Sequence, residues 1–475
     1  MNINSISNLI KGHFPYEFTP GQESLIGMLA KFILEKDEDS LFQIKGYAGT
    51  GKTTIVSSLV KTLPQLYLKS VLLAPTGRAA KVLSSYSGKK AYTIHKKIYR
   101  PNTGSDGTVV LSLQENLHKN TLFIVDEASM IPDASTSRNF SFFSLRDLLD
   151  DLIKYVYNKN NCRLILIGDT AQLPPVGSEI SPALDANLLK NTYPLNIQSF
   201  ELTDVVRQSL QSGILANATS LREKINSGKY EIPLFSINDF DDINNINGSE
   251  LQDEIFSSYS NFGEENTIII TRSNKRANIF NQEIRNRILF REEEISAGDY
   301  LMVVRNNYFW IDPNSKAGFI ANGDIIELLK IYKYEDLYGF RFADVSVRLI
   351  DYPDEKEIDL KIMLNTLTSE TPSLSFDDNR KLFDEILKDH EDLPRKRSRI
   401  EKVKSSPFFN ALQIKFAYAL TCHKTQGGQW QSVFIDQGYL RDDMIDKEYL
   451  RWLYTATTRA TEKLQLINFS EKFVE

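Results

Sequence analysis

The sequence predicts an α/β fold spread over more than one domain, and three observations carry that expectation. Short, continuous apolar runs recur at 41–44, 71–74, 122–125, 164–167, 267–270 and 433–435, each ending in polar residues or glycine. Unbroken apolarity of this length fits strands buried on both faces, as in a parallel sheet. Helix-like stretches such as 53–63 and 144–157 lie between them. That alternation builds parallel α/β units whose ligands sit at the carboxyl ends of the strands. A length of 475 residues, 41% hydrophobic and 25% charged, supplies more than one core, and at roughly 150 residues per domain suggests about three.

The first apolar strand runs into Gly46-Tyr47-Ala48-Gly49-Thr50-Gly51-Lys52-Thr53, which opens a helix. Strand, glycine-rich turn, lysine and hydroxyl in that order are the requirements of a phosphate loop. The glycines let backbone N–H groups approach a β-phosphate, Lys52 neutralises β/γ oxygens, and the Thr53 hydroxyl faces Mg²⁺. A later strand ends in Asp126-Glu127. Beside a phosphate loop, this pair suits hydrolysis, with Asp126 holding Mg²⁺ and Glu127 polarising the attacking water. The next strand ends in Gly168-Asp169-Thr170-Ala171-Gln172-Leu173-Pro174-Pro175. There Gln172 is positioned to bond the γ-phosphate or its water.

Two regions interrupt the alternation. Residues 99–113 carry Pro101, Gly104 and Gly107 between strand-like pieces and read as an inserted β-hairpin. Residues 298–347 contain strands broken at Asn322-Gly323-Asp324 and suggest a small antiparallel barrel. Beyond it, 373–392 reads as helix, 393–406 as a basic connector, and the Asn/Asp-rich 241–250 as a surface loop. Six basic residues from Arg395 to Lys404 face only Glu401 within that connector, which suits an auxiliary strand contact or a solvated linker.

Charge narrows the class of partner. With 56 basic and 62 acidic residues the net charge is −6, so a uniformly basic coat is excluded and any nucleic acid lies in a local groove. Two cysteines, Cys162 and Cys422, make neither a disulfide framework nor a four-thiolate zinc site. The N-terminus lacks a basic start followed by an apolar core, and no run of about 18 apolar residues spans a membrane. A cytoplasmic protein is expected.

Downstream, Arg207 follows Leu202–Val206, His423 and Gln426 sit in Thr421-Cys422-His423-Lys424-Thr425-Gln426-Gly427-Gly428, and Arg459 closes Tyr454-Thr455-Ala456-Thr457-Thr458-Arg459. With the phosphate loop, Asp-Glu and Gly-Asp-x-x-Gln segments, in this order, they resemble the superfamily 1 helicases, in detail the RecD-like and Dda-like 1B branch. Phe18-Thr19-Pro20-Gly21-Gln22 is similar to the adenine-reading Q motif, Ala74–Ala80 to motif Ia, Thr93-Ile94-His95 to motif Ib, and Thr271–Arg285, with Asn274 and Asn281, to segment IVa. The resemblance spans roughly residues 16 to 470.

The resemblance implies two RecA-like P-loop NTPase domains, with 1–182 as domain 1A and 183–296 plus 412–475 as domain 2A. It implies a 1B hairpin at about 96–118 and an SH3-like 2B barrel with a helical, basic extension at 297–411. ATP and Mg²⁺ are the implied cofactors. Gln22 would read adenine, Gly46, Ala48, Gly49, Thr50, Gly51, Lys52, Thr53 and Thr54 would hold the phosphates, and Thr53 and Asp126 the metal. Lys52, Glu127 and Gln172 would act in hydrolysis, joined across the cleft by Arg207 and Arg459, with Gly427 beside the nucleotide. Pro75, Thr76, Arg78, His95, Thr421 and His423 would contact DNA.

The implied activity is ATP-dependent unwinding of DNA with 5′→3′ movement on a single strand and separation at a pin. The expected partners are single-stranded and forked duplex DNA and a protein docked on the SH3-like domain; a monomer and no membrane association are expected. Roles in DNA repair, recombination and replication accompany the family. An RNA helicase, or a non-unwinding ATPase subunit or switch of a recombination or mobile-element complex, are the alternative readings. Two departures stand out. Gln429 occupies the place where the family often has a ribose-contacting acid, and the resemblance begins too early to leave room for the N-terminal domain of longer RecD-like proteins.

Overall fold

The computed structural model describes residues 2–35, 37, 39–103, 109–133, 147–158, 161–204, 212–312, 315, 317–350, 352 and 355–475. Two parallel α/β units of the RecA-like kind and one closed barrel make up the architecture. The first unit has six strands in the spatial order Ala91–Thr93, Lys69–Ala74, Thr121–Val125, Cys162–Gly168, Ser40–Gly46 and Asn196–Leu202. All neighbours run parallel. Strands 121–125 and 162–168 are buried at every position, which explains their unbroken apolarity: helices cover both faces, and no side of the strand meets water. Each fully enclosed Leu, Ile or Phe there contributes about 1.5–3 kcal/mol.

The second unit has five strands ordered Ala419–Thr421, Thr267–Thr271, Trp430–Asp436, Ala460–Ile467 and Ile243–Ile246, again all parallel. The last of these corrects the expectation of a loop at 241–250. Its Asn244 and Asn245 mask a strand signal, but Ile243 and Ile246 are buried against strand 460–467.

The barrel is formed by Tyr300–Val303, Ile325–Leu337, Phe340–Leu349, Ile358–Met363 and Leu412–Phe416. Closure depends on strand 412–416, which pairs antiparallel with 300–303 and parallel with 358–363. The boundary drawn at 412 from sequence therefore cuts the barrel. The boundary at 182 is also early, because strand 196–202 completes the first sheet beside strand 40–46. The basic connector likewise contains a helix, Lys396–Lys404, whose Ile400 and Val403 are buried, while helix Phe376–Lys388 buries Leu382 and Ile386. The spacing of Ile400 and Val403 was diluted by the surrounding charges, whereas helix 376–388 agrees with the expected one.

The hairpin pairs Tyr99–Thr103 with Val109–Leu113 in antiparallel register; its tip at 104–108 lies outside the described residues, as do 144–146 at the start of the predicted 144–157 helix, described as Leu148–Tyr157. No described helix is long and apolar enough to cross a membrane.

Candidate nucleotide and nucleic-acid sites

Strand 40–46 delivers the phosphate loop, and helix Lys52–Thr62 leaves it. Gly49 (φ 74°) and Gly51 (φ 80°) adopt the left-handed conformation that this turn requires, at no Cβ cost. The helix starts without a side-chain cap, so its first N–H groups point into the loop, where an anion satisfies them. Lys52 Nζ donates to the Gly46 and Tyr47 carbonyl oxygens at 2.6 and 2.7 Å, folded back onto the loop. Thr53 is exposed at the second helical position, with Thr54 half-buried after it.

Gln22 is buried beneath the loop. Its Oε1 accepts from Thr19 N–H at 3.0 Å, completing a capping box for helix Pro20–Leu34, and its Nε2 donates to the Thr50 carbonyl at 3.1 Å. The predicted adenine reader is thus also a brace of the phosphate loop.

At the end of strand 121–125, Asp126 Oδ1 accepts from the Glu127 N–H at 2.8 Å, and Oδ2 accepts from the Tyr86 hydroxyl. Glu127 sits at φ 52°, a left-handed conformation that a side chain bearing Cβ adopts only at a cost. Burial raises its carboxyl pKa to about 7; Arg459 and Lys52 pull it down, whereas Asp126 and Asp169 push it up. Gln172 is 6% exposed, and its Oε1 has no protein hydrogen-bond partner. A buried, unsatisfied acceptor costs about 1–3 kcal/mol. The residues present therefore fit a site that holds a triphosphate, its metal and a water.

The two α/β units meet beside this site through side chains of helix Lys447–Thr457 and through Gln426. Leu173 N–H donates to Thr455 Oγ1 at 2.9 Å, Arg451 Nη1 donates to the Glu179 carbonyl at 2.7 Å, and Gln426 Nε2 donates to the Leu173 carbonyl at 2.8 Å. The Tyr454 hydroxyl donates to Asp169 Oδ2 at 2.6 Å and accepts from Ala48 N–H at 3.0 Å. Arg459 is 4% exposed and anchored in its own unit by the Thr455 and Gly428 carbonyls at 3.0 and 3.2 Å, yet its charge is felt at Glu127. Arg207 lies outside the described residues.

Gly427 is held in close packing. A Cβ on it would come within 2.8 Å of Ala79 Cβ and 3.3 Å of Thr76 Oγ1, and its φ is 73°. Its close neighbours are therefore the start of helix Gly77–Ser87, where only glycine lets the two units approach. Arg78 also differs from a free DNA contact: its guanidinium stacks 3.8 Å over the Trp430 ring and donates to the Gln429 carbonyl at 3.2 Å.

The remaining nucleic-acid candidates gather around that helix start. Thr76, preceded by half-buried Pro75, caps the helix by accepting from Ala79 N–H at 3.2 Å. Thr421 precedes the short helix Cys422–Thr425, which carries His423 and leads to Gly427. A Cβ on Gly77 would meet Asp324 Oδ1 at 2.5 Å, so the barrel loop closes the same corner. His95 lies on helix Ile94–Ile98, whose Lys96 donates to the Ala317 carbonyl of the barrel at 2.8 Å. Burial lowers the His95 pKa to about 4 and also lowers that of His423, so both are neutral N–H donors at physiological pH.

Sequence reasoning assigned no role to Tyr86 or Tyr454. Tyr454 stood inside a quoted motif, five residues before Arg459, and that spacing was its only signal. Tyr86 lay in an ordinary helical stretch with no signal at all.

The residues expected at the nucleotide are divided between two α/β units that touch at the phosphate loop, the arrangement of a nucleotide-driven motor. Residues 19–234 match the family model described as an AAA domain, and 416–467 match that of the UvrD-like helicase C-terminal domain. The ATP-dependent RecD2 DNA helicase of Deinococcus radiodurans is 32% identical over 181 residues, covering 38% of this chain and 21% of that protein. An uncharacterized protein of Acanthamoeba polyphaga mimivirus is 26% identical over 519 residues, covering 94% of this chain and 99% of that one. The crystal structure of a Bacteroides Pif1 helicase with ADP-AlF3 and single-stranded DNA aligns over 97% of this chain and 95% of that chain, with 16% identity and a TM-score of 0.48. The chain is an ATP-dependent helicase, similar in its two matched regions to the AAA and UvrD-like helicase C-terminal families and over part of its length to the RecD2 helicase. It spans about a fifth of the length of the RecD2 protein it matches.

Proposed function

We propose that this helicase moves 5′→3′ along single-stranded DNA and separates the duplex ahead of it. The observation that carries the reading is the direct contact of the two units at the phosphate loop, where Tyr454 of the second bonds Ala48 N–H and Asp169 of the first and Thr455 accepts from Leu173 N–H. Hydrolysis then depends on closure of the two units, and closure is what moves a strand bound to both.

Lys52 is the group that leaves the Gly46 and Tyr47 carbonyls for β/γ oxygens, and the uncapped helix 52–62 supplies N–H donors. Thr53 and Asp126 would hold Mg²⁺, which when bound offsets phosphate charge. Glu127 takes the proton of a water oriented by Gln172 Oε1. Arg459 and, from its motif, Arg207 stabilise charge that develops on the transferred phosphoryl group. Thr76, His95, Thr421 and His423 contact the DNA backbone as neutral donors, which suits a chain of net charge −6. The 99–113 hairpin acts as the 1B pin, and the five-stranded barrel as the SH3-like 2B domain, which guides the strand or docks a partner.

Forked duplexes with either a 5′ or a 3′ single-stranded tail, in DNA and RNA versions, test this directly. Unwinding is expected from 5′-tailed DNA, together with ATP hydrolysis stimulated by single-stranded DNA. Unwinding solely from 3′ tails overturns the polarity, and preference for RNA overturns the substrate.

A further inference from the structure

We propose that Tyr454 is a positioning residue that links the occupancy of the phosphate loop to the second α/β unit, by a route separate from the arginines. This rests on the motor reading above. Its hydroxyl joins three elements at once: the Ala48 N–H of the loop at 3.0 Å, the Asp169 carboxylate at the end of strand 162–168 at 2.6 Å, and its own helix 447–457. Both Tyr454 and Asp169 are 1% exposed, so water does not compete for either bond. Burial and the adjacent Asp169 carboxylate push the phenol pKa far up, so the hydroxyl always keeps the proton it donates.

The Ala48 amide is one of the loop N–H groups that face an incoming phosphate. A phosphate oxygen bonded there takes the N–H from Tyr454, while the bond to Asp169 remains. Binding of nucleotide thus changes a contact with the second unit before any arginine acts. The neighbouring loop residue is tied the same way. The Tyr47 hydroxyl donates to Glu201 Oε1 at 2.6 Å and accepts from Asn226 Nδ2 at 3.1 Å, and Arg222 lies 4.6 Å over its ring. Asn226 and Arg222 belong to helix Gly213–Ser227, which packs on helix 447–457. One edge of the phosphate loop is therefore held by the opposite unit through successive residues.

Tyr454→Phe removes only the hydroxyl. A hydrogen bond to a charged group is worth about tenfold to a hundredfold in an equilibrium or rate. In the full chain with single-stranded DNA, kcat is expected to fall by about that factor, with KM for ATP unchanged or lower because Ala48 N–H is no longer claimed. ADP affinity, read by fluorescent-ADP titration, is expected to stay equal or tighten, and the thermal midpoint to move little. Asp169→Ala is expected to lower kcat as well, and the double variant to be no worse than the poorer single one, since both delete one bond. Wild-type kcat in Tyr454→Phe, or losses that multiply in the double variant, overturns the proposal. So does a raised KM with a lowered midpoint, the mark of a merely structural role. Absence of DNA stimulation in the unaltered protein would instead contradict the motor reading.

Discussion

Lys52→Ala is expected to lower ATP turnover by on the order of 10³-fold while single-stranded DNA binding largely survives. The lysine is the one cation of the phosphate loop, and it already lies within 2.7 Å of the loop's own carbonyls. Its loss removes charge compensation from the transferred phosphoryl group without touching Thr76, His95, Thr421 or His423. The thermal midpoint of the variant, read beside the assays, reports whether the fold tolerates the loss of these two bonds. Steady-state hydrolysis with and without DNA, beside a DNA-binding titration, checks both halves. Retained turnover would contradict the assignment of the site.

Arg459→Ala is expected to lower kcat by on the order of 10³–10⁵, far more than it weakens nucleotide binding. An arginine reaching from one unit toward a phosphoryl group in the other acts chiefly in the transition state, when charge spreads over the equatorial oxygens. Equal losses in kcat and in affinity would argue against that role. A second consequence follows from Glu127. Burial raises its carboxyl to about 7, and Arg459 is the strongest opposing influence, ahead of Lys52; Asp126 and Asp169 act in the other direction. A general base works ionised, so activity falls as pH drops through that value. Without Arg459 the opposing charge is lost, the pKa rises, and the acid limb of the residual kcat/KM profile moves to higher pH. An unmoved limb would mean that Arg459 does not face Glu127.

The inner strands 40–46, 69–74, 121–125, 162–168, 267–271 and 430–436 were legible in the sequence because burial on both sides writes an uninterrupted apolar run into the chain, whereas flanking strands such as 196–202, exposed at alternate positions, were not. Strand 243–246 escaped because it is an edge strand only four residues long, in which two buried isoleucines flank two asparagines. The barrel was legible only in part, since its closing strand 412–416 comes more than sixty residues after the run that announced it, and distant pairing leaves no local mark. The strand–loop–helix of the candidate nucleotide site was legible because phosphate chemistry fixes residue types at fixed spacing. The packing of Gly427 was not legible: its glycine answers to a close approach of Thr76 and Ala79, a demand that no motif spacing reveals. The stacking of Arg78, expected as a DNA contact, on a tryptophan some 350 residues away was likewise not legible. The coupling tyrosines were invisible because an ordinary Tyr in a helix announces neither the carboxylate nor the amide that it meets.

Cooperation between the units is the central claim, and dependence of ATP turnover on the length of single-stranded DNA measures it without labels. A motor that steps along its track is expected to show steady-state turnover that rises with oligonucleotide length and then levels off, because short strands end the run early. Turnover independent of length at saturating DNA, for any strand long enough to bind, would show that hydrolysis is not spent on movement.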